Sequence, residues 1–445
     1  MKSDQNSMKE IRCNCRNKFA DFLSPDQKNL LVQLNQSFVS SSSTSKRSSW
    51  SSNTDCCSSW DGVTCDKSGH VLSLDLSNES IQDGVNSSSS LFKFRYLERL
   101  NLAFNYFGSI PIPVGFNKLV NLTYLNLSNS GFNGQIPISF SRMTRLVTLD
   151  LATYQFPGSI PFTLNNPDLN TLTRNLKEVR ILSLDGVNIS AQGSKWCKAF
   201  SSSVPKLQVL SLSNCYLSGP FDKSLIQLQS LYELRLSGNN ISSEVPEFFS
   251  EFRNLTFLDL SSCELYGNSP ERILKVRTLQ KLYLANNDHL QGSLPEIPMH
   301  GLLQELILLN TSFSGELPNS IGNLRFLSRL DLWHCRFNGP IPSSVSKLKQ
   351  LQYLDLSENS FTGTLPMALF VIPSLQYMDL SENQFTGQLG QFVNGSSSSL
   401  ETLDLSMNKL QGPIPATLFE LSRLDTLTLS SNNFSGIVNL DALFN

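Results

Sequence analysis

Asp331, Asp355, Asp379 and Asp404 are the first residues whose type and spacing could do chemistry. Each is the middle residue of an L-D-L or M-D-L phrase, recurring every 24 or 25 residues, and Glu358 and Glu382 flank the row. Carboxylates about 5 Å apart are the arrangement of a retaining glycosidase. Here, however, they come from a repeated phrase on an open surface, with no apolar cleft to raise one pKa for general-acid work. They read as solvated repeat residues whose collective field repels anionic ligands and favours a cationic peptide segment. Arg235 and Asp259 hold equivalent places in adjacent repeats and read as a cross-strand pair. The four histidines, His70, His289, His300 and His334, are too dispersed for a metal constellation. There is no G-x-S-x-G phrase, P-loop or kinase signature set. The expectation is no enzyme, no cofactor and no metal.

Composition narrows the class further. The 445 residues carry a net charge of −2, which removes the electrostatic case for nucleic acid as a partner. No run of about 18 apolar residues is present, so no membrane helix is expected in this chain.

Organisation comes from repetition. The pattern L-x-x-L-x-L-x-x-N-x-Φ-x-G, with Φ apolar, starts at Val71, Leu97, Leu122, Leu146, Val179, Leu207, Leu231, Leu255, Leu279, Leu303, Leu327, Leu351, Leu375, Leu400 and Leu424. These fifteen units, mostly 24 residues apart, are the leucine-rich-repeat signature. The fourth and sixth positions are two apart, so in a strand they face one way and build a core that no single unit could bury alone. Asn at the ninth position (Asn105, Asn239, Asn287, Asn359, Asn383, Asn408, Asn432) turns inward, where its amide can bond otherwise orphaned backbone groups. Cys215, Cys263, Cys335, Ser130 and Thr311 replace it. These cysteines read as buried ladder residues. Cys197, in the long fifth unit, is a possible disulfide partner of Cys215.

The same numbering decides which side chains meet water. Trp333, at the seventh position, alternates with Leu332 and points out of the sheet, with Leu309 one strand before it. Tyr283 and Ile307 share the fifth position of consecutive strands, and Tyr353 and Tyr377 share the third. Most units carry Asp, Ser, Asn or Thr there. Tyr283, Ile307, Leu309, Trp333 and Tyr353, with Tyr377 beyond, therefore form a candidate ligand-binding patch on a polar wall.

The amino-terminal region caps the array. Ser24, Pro25 and Gln27 read as a capping box with Pro at the first helical position. Leu30, Leu31, Leu34 and Phe38 give one apolar face. Cys57 and Cys65 are near enough to bridge, and Cys56 then needs a partner in Cys13 or Cys15. A zinc site from these cysteines is the competing view; CxxC pairs are missing. The expected domains are a leader (1–23), a cap (24–70), an array of about 15 repeats (71–436) with a long fifth unit near 179–206, and an unfinished repeat (437–445). The fold class is an α/β repeat solenoid: a right-handed plant-type leucine-rich-repeat superhelix, its parallel sheet on the concave face, with an N-terminal helical cap.

The phrases SPDQKNLLVQL, CCSSWDGVTCDKSGHV, YLERLNLAFNYF, LVNLTYLNLSNSGFNGQIP and LDGVNISAQGSKWC resemble the plant receptor-like proteins of the Ve type, cell-surface immune receptors. The GxIP variant after the Asn resembles the plant extracellular subclass of repeats. The resemblance implies a plasma-membrane protein whose extracellular part binds a peptide or protein ligand and recruits kinase-bearing partners. Phe22 stands where relatives have the first cap Cys. No secretory signal or terminal cap is recognised, so an incomplete ectodomain is expected. Sequons at Asn35, Asn78, Asn86, Asn121, Asn126, Asn188, Asn240, Asn254, Asn310, Asn394 and Asn433 agree with an extracellular history. Asn126 and Asn310 fall on the concave face, where a glycan would block binding. Two alternatives stand beside the receptor: a secreted inhibitor of a pathogen wall-degrading enzyme, and a non-signalling decoy fragment.

Overall fold

The computed structural model describes residues 27–40, 45–51, 53–154, 160–268, 271–370, 372–392 and 398–437. They fall into two units, residues 1–189 with 202–207 and residues 190–201 with 208–445.

In the first unit, helix α1 (Gln27–Ser37) buries Leu30, Leu31 and Leu34, the stripe expected from their spacing. Phe38 stands just past the helix end, half-buried, with the Arg47 guanidinium over its ring. Ser24 and Pro25 of the expected capping box lie outside the described residues. Gln27 is buried, and its side-chain oxygen accepts the Val71 N–H at 3.4 Å. A short helix α2 (Cys56–Ser59) is joined by the Cys57–Cys65 disulfide to strand β1 (Val63–Cys65). Cys13 and Cys15, the expected partners of Cys56, lie outside the described residues. The segment before α2 is fixed by a buried carboxylate. Glu79 accepts from the Ser45 hydroxyl and from the Lys46 N–H at 3.1 Å, and faces Arg47 at 3.6 Å. Strand β1 runs antiparallel to β2 (Val71–Asp75). Parallel strands follow, one per repeat: β3 (Arg99–Asn101), β4 (Tyr124–Asn126), β5 (Thr148–Asp150) and β6 (Ile181–Ser183).

The second unit holds ten parallel strands in sequence order: β7 (Val209–Ser211), β8 (Glu233–Arg235), β9 (Phe257–Asp259), β10 (Lys281–Tyr283), β11 (Glu305–Ile307), β12 (Arg329–Asp331), β13 (Tyr353–Asp355), β14 (Tyr377–Asp379), β15 (Thr402–Asp404) and β16 (Thr426–Thr428). Equivalent repeat positions pair directly, for example Leu330 with Leu354. Leu327, Leu330 and Leu332 are fully buried, while Trp333 is 38% exposed. The register read from the repeat is therefore the register of the fold.

The ninth-position Asn works as a two-sided clip. Asn383 is buried; its Nδ2 donates to the carbonyls of Leu356 (2.9 Å) and Ser381 (3.0 Å), and its Oδ1 accepts from the Phe361 N–H (2.9 Å). Each repeat thus satisfies backbone groups of the one before it that would otherwise be orphaned in the core. At Cys263 and Cys335 the thiol reaches the corresponding carbonyls of Leu236 (3.1 Å) and Leu308 (3.2 Å). Burial pushes the Cys263 thiol up to about 12, so it stays protonated and unreactive.

Beyond the clip lies a feature the repeat pattern did not announce. A second parallel sheet of eight strands runs from Tyr266–Asn268 to Asn433–Ser435. Its strand Arg336–Gly339 ends at Gly339, whose φ of +69° favours glycine; a Cβ there would also lie 2.5 Å from the Glu316 side chain. Short 3₁₀ turns such as Ser343–Lys347 complete each coil. Between the layers runs a spine of buried rings: Phe337, Phe361 and Phe385 stack with 6.2 Å between successive centroids. The long fifth repeat carries helix Gly193–Ser203, whose Trp196 is fully buried and donates its ring N–H to the Ser218 carbonyl at 3.2 Å.

Candidate ligand-binding face

The outward face of β8 to β15 is built from three rows of side chains, set by the strand pairing. The third-position row reads Glu233, Phe257, Lys281, Glu305, Arg329, Tyr353, Tyr377, Thr402. The fifth-position row reads Arg235, Asp259, Tyr283, Ile307, Asp331, Asp355, Asp379, Asp404. The seventh-position row carries Ala285, Leu309 and Trp333 among serines. Because the strands are only three residues long, the chain turns at the sixth to eighth positions, and the eighth-position residues Asn310, His334, Glu358 and Glu382 all have positive φ.

The fifth-position aspartates have a structural reason to be there. Asp355 Oδ1 accepts the Ser357 N–H (3.0 Å) and hydroxyl (2.5 Å), and Asp379 and Asp404 make the same bond to Ser381 and Ser406. This is a side-chain turn closing the end of each strand. Their expected solvation holds for neither Asp331 nor Asp355, which are 2% and 7% exposed. Neighbouring side chains cover them: the Arg329 guanidinium donates to Asp331 Oδ2 at 2.7 Å, and the Tyr353 hydroxyl to Asp355 Oδ2 at 3.2 Å. Burial, then the like charges of Asp379 and Asp331, push the Asp355 carboxyl up to about 6.

The apolar patch expected from the sequence is divided. Tyr283 and Ile307 are register neighbours, both half-buried, with Leu309 and Trp333 in the next row out. Tyr353 and Tyr377 form a separate plate, stacked 4.4 Å apart at 2°. The Arg329–Asp331 pair on β12 lies between the two groups, with the Arg329 guanidinium 4.0 Å above the Tyr353 ring. The rings are held from below. The Tyr283 hydroxyl bonds Glu305, which also pairs with Lys281 at 2.6 Å. The Trp333 ring N–H donates to Glu358 Oε1 at 2.9 Å, and His334 lies 2.6 Å from the other oxygen. These bonds hold the Glu358 carboxyl below the usual range. The tyrosine hydroxyls are kept protonated: burial and then Asp379 push Tyr377 up to about 12.

Sequence reasoning missed Lys281, Glu305 and Arg329, although all three hold the third position that singled out Tyr353. Other expectations fall differently. Arg235 pairs with Glu233 on its own strand at 2.6 Å, with its guanidinium 4.8 Å from the Phe257 ring centroid, rather than with Asp259. No disulfide joins Cys197 to Cys215. The Cys197 sulfur accepts the Asp222 N–H at 3.4 Å and the Cys215 thiol donates to the Ser213 carbonyl at 3.5 Å. Of the sequons, Asn78, Asn86, Asn240, Asn254 and Asn433 are exposed; Asn35, Asn121, Asn126, Asn188 and Asn310 are half-buried; Asn394 lies outside the described residues. Asn126 accepts the Ser128 N–H at 2.8 Å, and Asn310 donates to the Asn286 side chain at 3.2 Å.

Comparison with known proteins agrees with this architecture. Residues 24–66 match the leucine rich repeat N-terminal domain family, and residues 205–265 and 325–385 match the leucine rich repeat family. Residues 121–143 and 399–421 match a further Leucine Rich Repeat family. Receptor-like protein 6 of Arabidopsis thaliana is 33% identical over 325 residues, 69% of this chain and 27% of that protein. Receptor-like protein 7 of the same plant is 44% identical over 307 residues, 68% and 26% respectively. Receptor-like protein Cf-9 of Solanum pimpinellifolium is 34% identical over 192 residues, 43% of this chain and 21% of that protein. The matches thus span about a quarter of the length of these relatives. Among solved structures, the ectodomain of the Arabidopsis receptor kinase HAESA with an IDA peptide hormone ligand superposes with a TM-score of 0.65 at 24% identity, covering 93% of this chain and 78% of that one. The plant peptide hormone receptor RGFR1 in complex with RGF2 gives 0.63 at 21%, covering 84% and 72%. Both show the shared fold. The chain belongs to the plant leucine-rich-repeat receptor-like proteins.

Proposed function

We propose that this chain is the ligand-reading part of a cell-surface receptor-like protein, and that the outward face of β10 to β14 receives an extracellular peptide or protein. One observation carries the reading. Tyr283, Ile307, Leu309, Trp333, Tyr353 and Tyr377 stand on adjacent strands of a sheet face whose other outward positions are charged (Lys281, Glu305, Arg329 and the aspartates) or small. The rings are fixed in place by Glu305, Glu358, Asp355 and Asp379. Pre-fixed aromatic side chains are the usual anchors of recognition surfaces, since little entropy is lost when a partner docks. Among the described residues no helix is long and apolar enough to cross a membrane. The family resemblance implies that signalling at the plasma membrane goes through kinase-bearing partners. The cap phrase and the SAQGSKWC insertion support the Ve type within the family.

Selection from a displayed random heptapeptide library on the intact chain, compared with a Trp333→Ala, Tyr283→Ala double variant, tests the reading. Enriched peptides are expected to bind the double variant at least tenfold more weakly, the loss typical of a central anchor. Equal binding to both chains removes the face from consideration.

A further inference from the structure

The two ends of this face differ in charge, and the difference specifies the occupant. On β8 to β12 every outward Lys and Arg is paired with a carboxylate: Arg235 with Glu233, Lys281 with Glu305, Arg329 with Asp331. From β13 onward the outward positions change character. The third, fifth, seventh and eighth positions of β13 to β16 and their turns carry Asp355, Asp379, Asp404, Glu358 and Glu382, and no Lys or Arg. Glu358 is engaged by Trp333 and His334. Asp355, Asp379 and Asp404 have hydrogen-bond donors but no cation within ion-pair distance among the described residues.

Asp355 is the decisive member. It is more than nine-tenths buried, yet its neighbours across the strands are two further carboxylates, Asp331 and Asp379. A buried carboxylate without a counter-ion is costly, and the protein supplies none here, whereas Asp331, the other buried carboxylate of the row, has Arg329. Directly beside it lies the flat Tyr353–Tyr377 plate, already covered at one edge by the Arg329 guanidinium and open toward β15. A planar cation on an aromatic plate next to uncompensated carboxylates combines a ring contact with charge-assisted hydrogen bonds.

We propose that the occupant is an extended, basic peptide segment: an apolar residue sits at Tyr283, Ile307, Leu309 and Trp333, and an Arg or Lys side chain lies over Tyr377 with its charge at Asp355, Asp379 and Asp404. This rests on the receptor reading above and adds the chemistry of the ligand. The span from β10 to β15 is five strand spacings, roughly 24 Å at about 4.8 Å each, which an extended peptide of about seven residues covers. The strands run across such a segment, so side chains rather than added backbone ladder bonds carry its recognition.

The test uses the heptapeptides selected above, synthesised as they emerge and again with each Lys and Arg replaced by Gln. The expected result is a pool enriched in basic residues, affinity falling at least tenfold on the Gln replacement, and a steep loss of binding between 50 and about 500 mM salt. Asp379→Asn and Asp404→Asn in the chain should each weaken the basic peptides and leave the Gln versions unchanged. Selected peptides that are neutral or acidic but still depend on Trp333 overturn the basic-ligand proposal while the receptor reading stands. Peptides independent of both Trp333 and charge, or no enrichment at all, overturn both. The Gln-substituted peptides keep the test decisive even where an Asp variant fails to fold.

Discussion

Replacing Asp355 by Asn isolates the cost of that buried charge. In the folded chain its carboxyl sits at about 6 against an ordinary 3.8, through burial first and the charges of Asp379 and Asp331 second. The Ser357 hydroxyl and N–H act in the opposite direction and are insufficient to cancel this. Arg329 faces Asp331 rather than Asp355. The difference between 3.8 and about 6 corresponds to about 3 kcal/mol, at about 1.4 kcal/mol for each tenfold change in proton affinity. The raised value means the folded chain holds the proton more tightly than the unfolded one. Below about pH 3 the group is neutral in both states and costs nothing. Between about pH 3 and 6 the unfolded state ionises first, and stability falls as pH rises. Above that the full penalty stands. Asn keeps an oxygen for the Ser357 N–H and hydroxyl and cannot ionise. Asp355→Asn should therefore unfold at the same denaturant concentration as the parent near pH 3, and be more stable by 1 to about 3 kcal/mol at pH 7. Urea titrations monitored by circular dichroism at about pH 3, 4, 5, 6 and 7 give the comparison. Either of two results would refute the reasoning: a variant less stable at pH 7 would mean that the carboxylate is stabilised by its surroundings, and an offset constant across the series would mean that its proton affinity is the same in the folded and unfolded chain.

Two further variants probe the scaffold beneath the face. Asn383→Ala removes a buried amide that serves carbonyls of Leu356 and Ser381 and the Phe361 N–H, and should cost about 3 kcal/mol through the groups left unpaired; an unfolding free energy lowered by less than about 1 kcal/mol would show that water replaces it. Phe361→Ala empties the middle of a three-ring stack with 6.2 Å on each side, and should lower stability by 3 to about 5 kcal/mol in the same titration. A much smaller loss would mean that Phe337 and Phe385 close the gap.

The repeat made row membership legible but left partners within a row undetermined. Position number alone placed Leu332 inside and Trp333 outside, because a 24-residue coil stacks equivalent residues and a strand alternates its faces. It also placed the Asn clip, since one amide must satisfy backbone groups in two coils. The same numbering could not decide where a long charged side chain would reach. Arg235 has Asp259 beside it in register, yet it turns to Glu233 two residues back and lies against Phe257, while Asp259 is engaged by the Ser261 N–H. Reach and rotamer, not register, settle that choice, and a flexible side chain has several positions within one strand spacing. The buried aspartates follow the same logic in reverse. The phrase L-D-L-S encodes the turn that Asp355 closes, so its presence is local. Its burial comes from Tyr353 on its own strand and the rings and carboxylates of the strands beside it, which no single repeat contains. A residue can therefore be locally required and globally strained, and where that happens on an open sheet face, the missing counter-charge is what a partner is positioned to bring.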